Sequence, residues 1–263
     1  MDTLEEKRSS AAKTISFMMA LTLVGKVLGL YRDRLLAVHY STGAAASAFF
    51  TASRIPRVFF DAVFASAIAA CFIPVYSEFL EKKGKEEANR FAGCFITAIA
   101  LLTGAFTLLG MAFPQPFVAA FADYADPQTT ALAVSLTRVM FPTVLFSGIA
   151  FSLVGVLQAQ DHFTAPALMS AASNLVIILY FFTLDARLGI FGLAGAYLLG
   201  WLLQSLIQLP PLRPLGFCYC PGLELRSEGM KKVFALMGPV MVSTWVLPIN
   251  QAINARFGSR LYE

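Results

Sequence analysis

Seven runs of apolar residues divide the 263-residue chain, at about 14–37, 46–76, 91–114, 132–158, 164–184, 188–210 and 232–256. Each is long enough to cross a hydrocarbon core of about 30 Å as a helix, which takes about 20 residues. None alternates strictly between apolar and polar positions, so the pattern does not predict the strands of a barrel. Backbone amides find no water in lipid, which leaves helices as the spanning structure. The predicted fold class is therefore all-α, a polytopic transmembrane helix bundle of about seven spans.

Composition narrows the picture. Hydrophobic residues make up 57% of the chain and charged residues 14%, against about 45–50% and 25% in soluble domains. Mean hydropathy is +0.68. A soluble globule cannot hide that much apolar surface, which excludes an ordinary cytosolic enzyme, a disordered chain and a disulfide-stapled secreted domain. Asp2, Glu5 and Glu6 precede the first run. That run is too long for the core of a cleavable signal peptide, so the first helix is expected to act as an uncleaved anchor.

The placement of charge predicts orientation. Lys7, Arg8 and Lys13 lie before the first run, Lys82, Lys83, Lys85 and Arg90 follow the second, and Arg213, Arg226, Lys231 and Lys232 follow the sixth. The connection Pro114–Thr130 holds Asp123 and Asp126 and no lysine or arginine. The positive-inside rule then puts the N-terminus in the cytoplasm of a multi-pass protein of the bacterial inner membrane. Four segments are expected: a cytoplasmic tail at 1–13, a six-helix lobe at 14–210, an amphipathic or irregular connector at 211–231, and the first helix of a second lobe at 232–263. With six spans forming an even unit, the seventh reads as the start of another, and the chain as half of something larger.

Candidate chemistry concentrates between residues 25 and 61. Lys26 sits inside the first run, with Arg32, Asp33 and Arg34 at its far end, and Arg54, Arg57 and Asp61 belong to the second. A charge at mid-bilayer costs about 2.5–3.5 kcal/mol on insertion scales, so such residues face a watery cavity or a partner. Helical spacing sets Ser47, Thr51, Arg54 and Asp61 along one side, with Arg57 a turn after Arg54, and gives Lys26 and Asp33 a shared face. Pro56 is expected to bend or break its helix and free a carbonyl. Gly25 and Gly29 form a G-x-x-x-G spacing that admits a second helix closely. Two readings stand: charges snorkelling to the interfaces and pairing with Asp33 and Asp61, or a basic pocket for a phosphate or pyrophosphate headgroup. Arg138 is expected to snorkel, and Asn174, Asn250 and Asn254 to glue helices or line a cavity.

Cys71 and Cys94 lie in apolar runs as small hydrophobes, Cys218 and Cys220 lie in a loop, and His39 and His162 are distant in sequence. No zinc set of about four N and S ligands is expected. With no Gly-x-x-x-x-Gly-Lys loop and no catalytic triad, no enzymatic role, cofactor, metal or nucleic-acid partner is expected.

The stretch Gly25-Lys-Val-Leu-Gly-Leu-Tyr-Arg-Asp-Arg-Leu-Leu-Ala, then Ala48-Phe-Phe, Arg54-Ile-Pro and Phe72-Ile-Pro-Val-Tyr-Ser-Glu-Phe, resembles the MurJ/MviN family. Phe141-Pro, Gln208-Leu-Pro and Met237-Gly-Pro extend the resemblance over essentially the whole chain. The family comprises lipid II flippases of the multidrug/oligosaccharidyl-lipid/polysaccharide exporter superfamily. The resemblance implies two six-helix lobes related by a pseudo-two-fold axis, followed by two more helices. It also implies a V-shaped cavity whose basic residues hold the substrate pyrophosphate. This chain matches the first lobe and the first helix of the second. Lys26 stands where a cavity arginine is usual, Arg32 matches a second such arginine, and Asp33 matches the acid that follows it. Ser47 replaces a frequent aspartate, Arg57 a frequent asparagine, and Phe60 and Asp61 a basic pair, so the cation of the second helix has either moved one turn earlier, to Arg57 or Arg54, or been lost. A further cavity arginine belongs to the family's eighth helix.

The implied activity is movement of undecaprenyl-pyrophosphate-linked peptidoglycan precursor, lipid II, from the inner to the outer leaflet by alternating access. The implied partners are lipid II, membrane lipids and a C-terminal half. The alternatives are a flippase for another lipid-linked oligosaccharide, a cation-coupled drug exporter of the same superfamily, and a non-transporting membrane subunit.

Overall fold

The computed structural model describes residues 2–40, 43–60 and 68–244 together with Asn250 and Asn254, with 2–15, 59–60 and 241–244 described by backbone alone. All regular structure among the described residues is helical. The elements are α1 (Asp2–Tyr40), α2 (Ala44–Phe60), a π-helical turn (Ile68–Phe72), α3 (Ile73–Lys82), α4 (Lys85–Ala112), α5 (Pro114–Phe121), α6 (Pro127–Met140), α7 (Thr143–Gln158), α8 (Thr164–Thr183), α9 (Asp185–Ile207), α10 (Leu209–Leu212) and α11 (Glu228–Thr244).

Four helical stretches are long and apolar enough to cross a membrane: Lys85–Ala112, Pro127–Gln158, Thr164–Thr183 and Asp185–Leu212. They coincide with the third to sixth apolar runs. The second and seventh runs include residues outside the described set, Asp61 among them, and the first begins in the part of α1 described by backbone alone.

Proline and glycine subdivide these runs. The fourth breaks between α6 and α7 at Phe141–Pro142, because Pro142 has no N–H to offer the turn before it. Pro114 opens α5 inside a stretch expected to be loop, its fixed φ suiting the first helical position. Asp126 caps α6, its carboxylate accepting from the backbone of Gln128 at 3.1 Å and of Thr129 at 3.0 Å. The hydroxyl bond from Thr129, then those amides, holds this carboxyl below the usual aspartate range. Gly189 has φ +53° inside α9, a left-handed conformation that suits glycine, and its carbonyl accepts from the Tyr180 hydroxyl.

The helices pack in a chain of neighbours: α1 along α8, α8 along α9, α9 against α7, α7 against α4, and α2 against α6. One core centres on Phe72, whose ring stacks on Phe95 at 4.4 Å, Tyr76 at 5.4 Å and Phe91 at 5.5 Å. Gly155 lies beneath this stack, and a Cβ there would come within 2.8 Å of Phe72. A second core gathers Ala48, Ile55, Leu136, Phe141 and Leu193.

The connector is irregular. After α10 it turns at 213–216, runs without helix along the start of α4, and enters α11 at Glu228, four residues before the seventh apolar run. Lys85 donates to the Leu215 carbonyl at 3.2 Å and Asn89 to the Gly216 carbonyl at 3.0 Å. The Cys220 carbonyl lies so close to Gly93 that a Cβ there would meet it at 2.0 Å. Met230 and Val233 of α11 are fully buried in the Phe72 core. The expected boundary between 14–210 and 232–263 is thus spanned by apolar packing.

Ion pairs reinforce this end: Lys83 with Glu228, Lys232 with Glu78 at 3.0 Å and with Glu228 at 3.1 Å, and Arg90 with Glu224. Hydrogen bonds from Lys232 and then Lys82 hold the Glu78 carboxyl below the ordinary glutamate range, and those from Lys83 and then Lys232 do the same for Glu228. Folded-state values that are depressed give stabilisation that is present above the ordinary glutamate range and lost as pH falls through and below it. Acidification from pH 7 to below about 4 is therefore expected to speed hydrogen exchange across 217–232, relative to intrinsic rates. Unchanged protection there would mean that Met230 and Val233 hold the segment without the charges.

Candidate functional site

The candidate residues fall on two helices with different neighbours. On α1, the G-x-x-x-G spacing faces α8. A Cβ at Gly25 would lie 3.2 Å from Ser170 Cβ, and one at Gly29 would lie 3.2 Å from Asn174 Nδ2. Close approach lets the side chain of Asn174 work as a clasp. Its Nδ2 donates to the Gly25 carbonyl at 2.9 Å, while its Oδ1 accepts from Arg32 Nη1 at 2.8 Å. Asn174 is 4% exposed. Arg32 also donates through Nε and Nη2 to Asp33 Oδ1, at 3.0 and 2.8 Å. The acid that spacing sets on the face of Lys26 thus takes the neighbouring guanidinium. Lys26 and Arg34 are exposed on the same helix.

On α2, Ser47 and Thr51 face the connection between α5 and α6. The Tyr124 hydroxyl donates to the Ser47 carbonyl at 3.0 Å and lies 2.5 Å from Thr51 Oγ1. Arg54, one turn further on this stripe, is exposed. Arg57 points elsewhere. With Ser53 and Pro56 it lines a shallow, open cleft completed by Thr143 and Ser147 of α7 and Tyr197 and Trp201 of α9. The helix passes through Pro56 and continues to Phe60. Pro56 still has no N–H for the Ala52 carbonyl.

The structure thus joins Arg32 to α8 and Arg57 to the α7–α9 cleft, and leaves Lys26 and Arg54 exposed on their helices. Asp61 lies outside the described residues. Arg138, exposed, donates to the Met111 carbonyl at 3.0 Å and so ties α6 to the end of α4. Asn254 donates to Asn250 at 2.9 Å, one turn apart. No group of three or more His, Cys, Asp or Glu suited to a metal occurs among the described residues.

Sequence reasoning missed Tyr124 and Asp185. Tyr124 stands in an acidic loop with no pattern to single it out. Asp185 accepts from the Tyr40 hydroxyl at 2.5 Å and lies 2.7 Å from His39 Nδ1, fastening the end of α1 to the start of α9. Both contacts join residues far apart in sequence, where spacing carries no signal.

This architecture, an all-helical bundle, has the fold of solved membrane transporters. A solved lipid II flippase MurJ in an inward closed conformation superposes with a TM-score of 0.73 at 24% identity, over 90% of this chain and 50% of that one. A MATE in complex with MaL6 superposes with a TM-score of 0.69 at 17% identity, over 90% of this chain and 54% of that one. The family model described as lipid II flippase MurJ matches residues 36–263, and the chain belongs to that family. The lipid II flippase MurJ of Burkholderia cenocepacia is 30% identical over 248 residues, which are 91% of this chain and 48% of the relative. The probable lipid II flippase MurJ of Bdellovibrio bacteriovorus is 30% identical over 268 residues, 99% of this chain and 51% of the relative. The chain spans about half the length of the curated relatives it matches.

Asn174 serves α1 and α8 at once, so its removal loosens the helix pair and frees Arg32. Asn174→Ala is expected to destabilise the bundle by about 1 kcal/mol, the scale of interhelical hydrogen bonds in membranes. Unfolding in mixed micelles measures this, and wild-type stability would mean that the glycine contacts alone hold the pair.

Proposed function

We propose that this chain forms the N-terminal, headgroup-gripping part of a lipid II flippase, making and breaking no covalent bonds. It moves undecaprenyl-pyrophosphate-linked disaccharide-pentapeptide from the inner to the outer leaflet for cell-wall synthesis. The observation that carries this reading is the set of cations on α1 and α2 in a chain of the MurJ family. Arg32 is the residue best prepared for it. Asn174 and Asp33 hold its guanidinium, which lowers the entropy lost when it engages a phosphate oxygen. Lys26 adds a point charge on α1, and Arg54 or Arg57 adds one from α2. Asp33 balances Arg32 between turnovers. The Tyr124 hydroxyl engages Ser47 and Thr51, so the first uncommitted polar side chain for a headgroup on this stripe is Arg54.

In this reading residues 14–210 form one lobe and α11 begins a second, and the two rock to expose the cavity alternately. The N-terminus and the Lys82–Arg90 turn face the cytoplasm of the inner membrane, and Asp123–Asp126 face outward. Cysteines placed at Lys83 and Asp126, with Cys218 and Cys220 changed to serine, test the orientation. An impermeant thiol reagent on intact cells is expected to label only the Asp126 position, and labelling at Lys83 would invert the topology.

Charge directed at a pyrophosphate is worth about 1.5–3 kcal/mol per hydrogen bond. Arg32→Gln is therefore expected to weaken lipid II binding roughly ten- to a hundredfold, with Lys26→Arg tolerated. Native mass spectrometry measures this on the chain combined with a partner matching the other half of its relatives. Arg138→Gln is the control, since Arg138 is engaged with the α4 carboxyl end. Equal losses at Arg32 and Arg138 would mean a general charge effect and no specific grip.

A further inference from the structure

The connector's depth follows from what it touches. The last charge on α4 is Arg90, and residues 91–112 continue uncharged to its end. That segment is about 33 Å long, the thickness of the hydrocarbon core. Gly93, Cys94 and Thr97 occupy its first two turns. The connector packs on all three. The Cys220 carbonyl meets Gly93, a Cβ at Gly222 would lie 2.9 Å from Cys94 Sγ, and the Tyr219 hydroxyl lies 2.8 Å from Thr97 Oγ1. Residues 219–222 therefore stand level with the boundary between headgroups and acyl chains.

The side chains suit that level. Tyr219 is 48% exposed, Leu223 54% and Leu225 44%, an apolar edge pointing away from the protein. Tyrosine concentrates at this depth because its ring is apolar and its hydroxyl polar. Arg213, Arg226 and Lys231 flank the edge and are exposed. Nearby, Glu224 is held by Arg90 and Glu228 by Lys83 and Lys232. Glu86, near Cys220, and Glu87, near Arg90, are the acids on the first turn of α4, fewer than the three exposed cations. Charge balance around the edge therefore favours anions.

We propose that residues 213–231 form an interfacial anchor. Tyr219, Leu223 and Leu225 enter the headgroup layer, and Arg213, Arg226 and Lys231 hold the phosphates of acidic phospholipids. The proposal does not depend on what the bundle transports.

Two measurements test it on the chain reconstituted in nanodiscs of phosphatidylcholine with or without phosphatidylglycerol. A nitroxide on Cys220, with Cys218→Ser and the buried Cys71 and Cys94 unlabelled, is expected to relax more with oxygen than with a water-soluble nickel complex. Native mass spectrometry of the purified chain is expected to show preferential retention of phosphatidylglycerol. Each cation removed from R213Q/R226Q/K231Q is expected to weaken that retention roughly fivefold. Water-like accessibility at Cys220 overturns the proposal. So does equal retention of phosphatidylglycerol by the wild type and the triple variant, when both keep the same helical content.

Discussion

Helices immersed in lipid gain little by hiding apolar surface from one another, so their association rests on how closely they approach. The contact between α1 and α8 shows what closeness makes available. Gly25 and Gly29 bring the backbones near enough for Asn174 to reach the Gly25 carbonyl and the Arg32 guanidinium together. A larger residue at either glycine would separate the helices and leave a buried amide unpaired. The same logic recurs where Gly155 meets Phe72 and Gly110 meets Phe141. The Arg32 guanidinium is therefore oriented by packing on its own face of α1, a turn beyond Gly29.

Much of the fold was legible because apolar run length and helix geometry impose the same period on any spanning segment. The third to sixth runs match helical stretches within a few residues at most ends. What the pattern did not carry was subdivision. Pro142 and Pro114 act through a missing N–H, a local effect that hydropathy averages away. The helix α5 is a short apolar segment of about two turns within a stretch that lacks basic residues, and hydropathy and charge alone assigned it to a loop. The connector was legible as irregular, but its docking on α4 depends on Gly93, which looks ordinary inside an apolar run.

The candidate site was legible only as a list of charges. Sequence spacing places residues on faces of one helix, and it gave the G-x-x-x-G stripe and the Ser47–Thr51–Arg54 side. Which helix each face meets is a matter of topology. Arg54 and Arg57 look alike in sequence, yet three residues of rotation carry one to the Thr51 stripe and the other to the cleft beside Tyr197. Asp33, seven residues from Lys26, takes Arg32 because adjacent side chains at a helix end can fold back on each other more easily than spacing rules suggest.

The burial of Met230 and Val233 has a mechanical consequence. Met230 and Val233 are seated in the Phe72 core and Met237 and Val240 pack against it, whereas Phe234 and Leu236 on the other side of α11 are exposed. Such a helix moves with the stack: a small tilt of the aromatic rings carries its far end through a larger arc. Over the stretch from Val233 to Thr244, about 16 Å, a rotation of a few degrees at Val233 becomes a displacement of about an ångström at the tip. Gly155 leaves no room beneath Phe72 for a side chain, so any larger residue there would shift the stack and α11 with it.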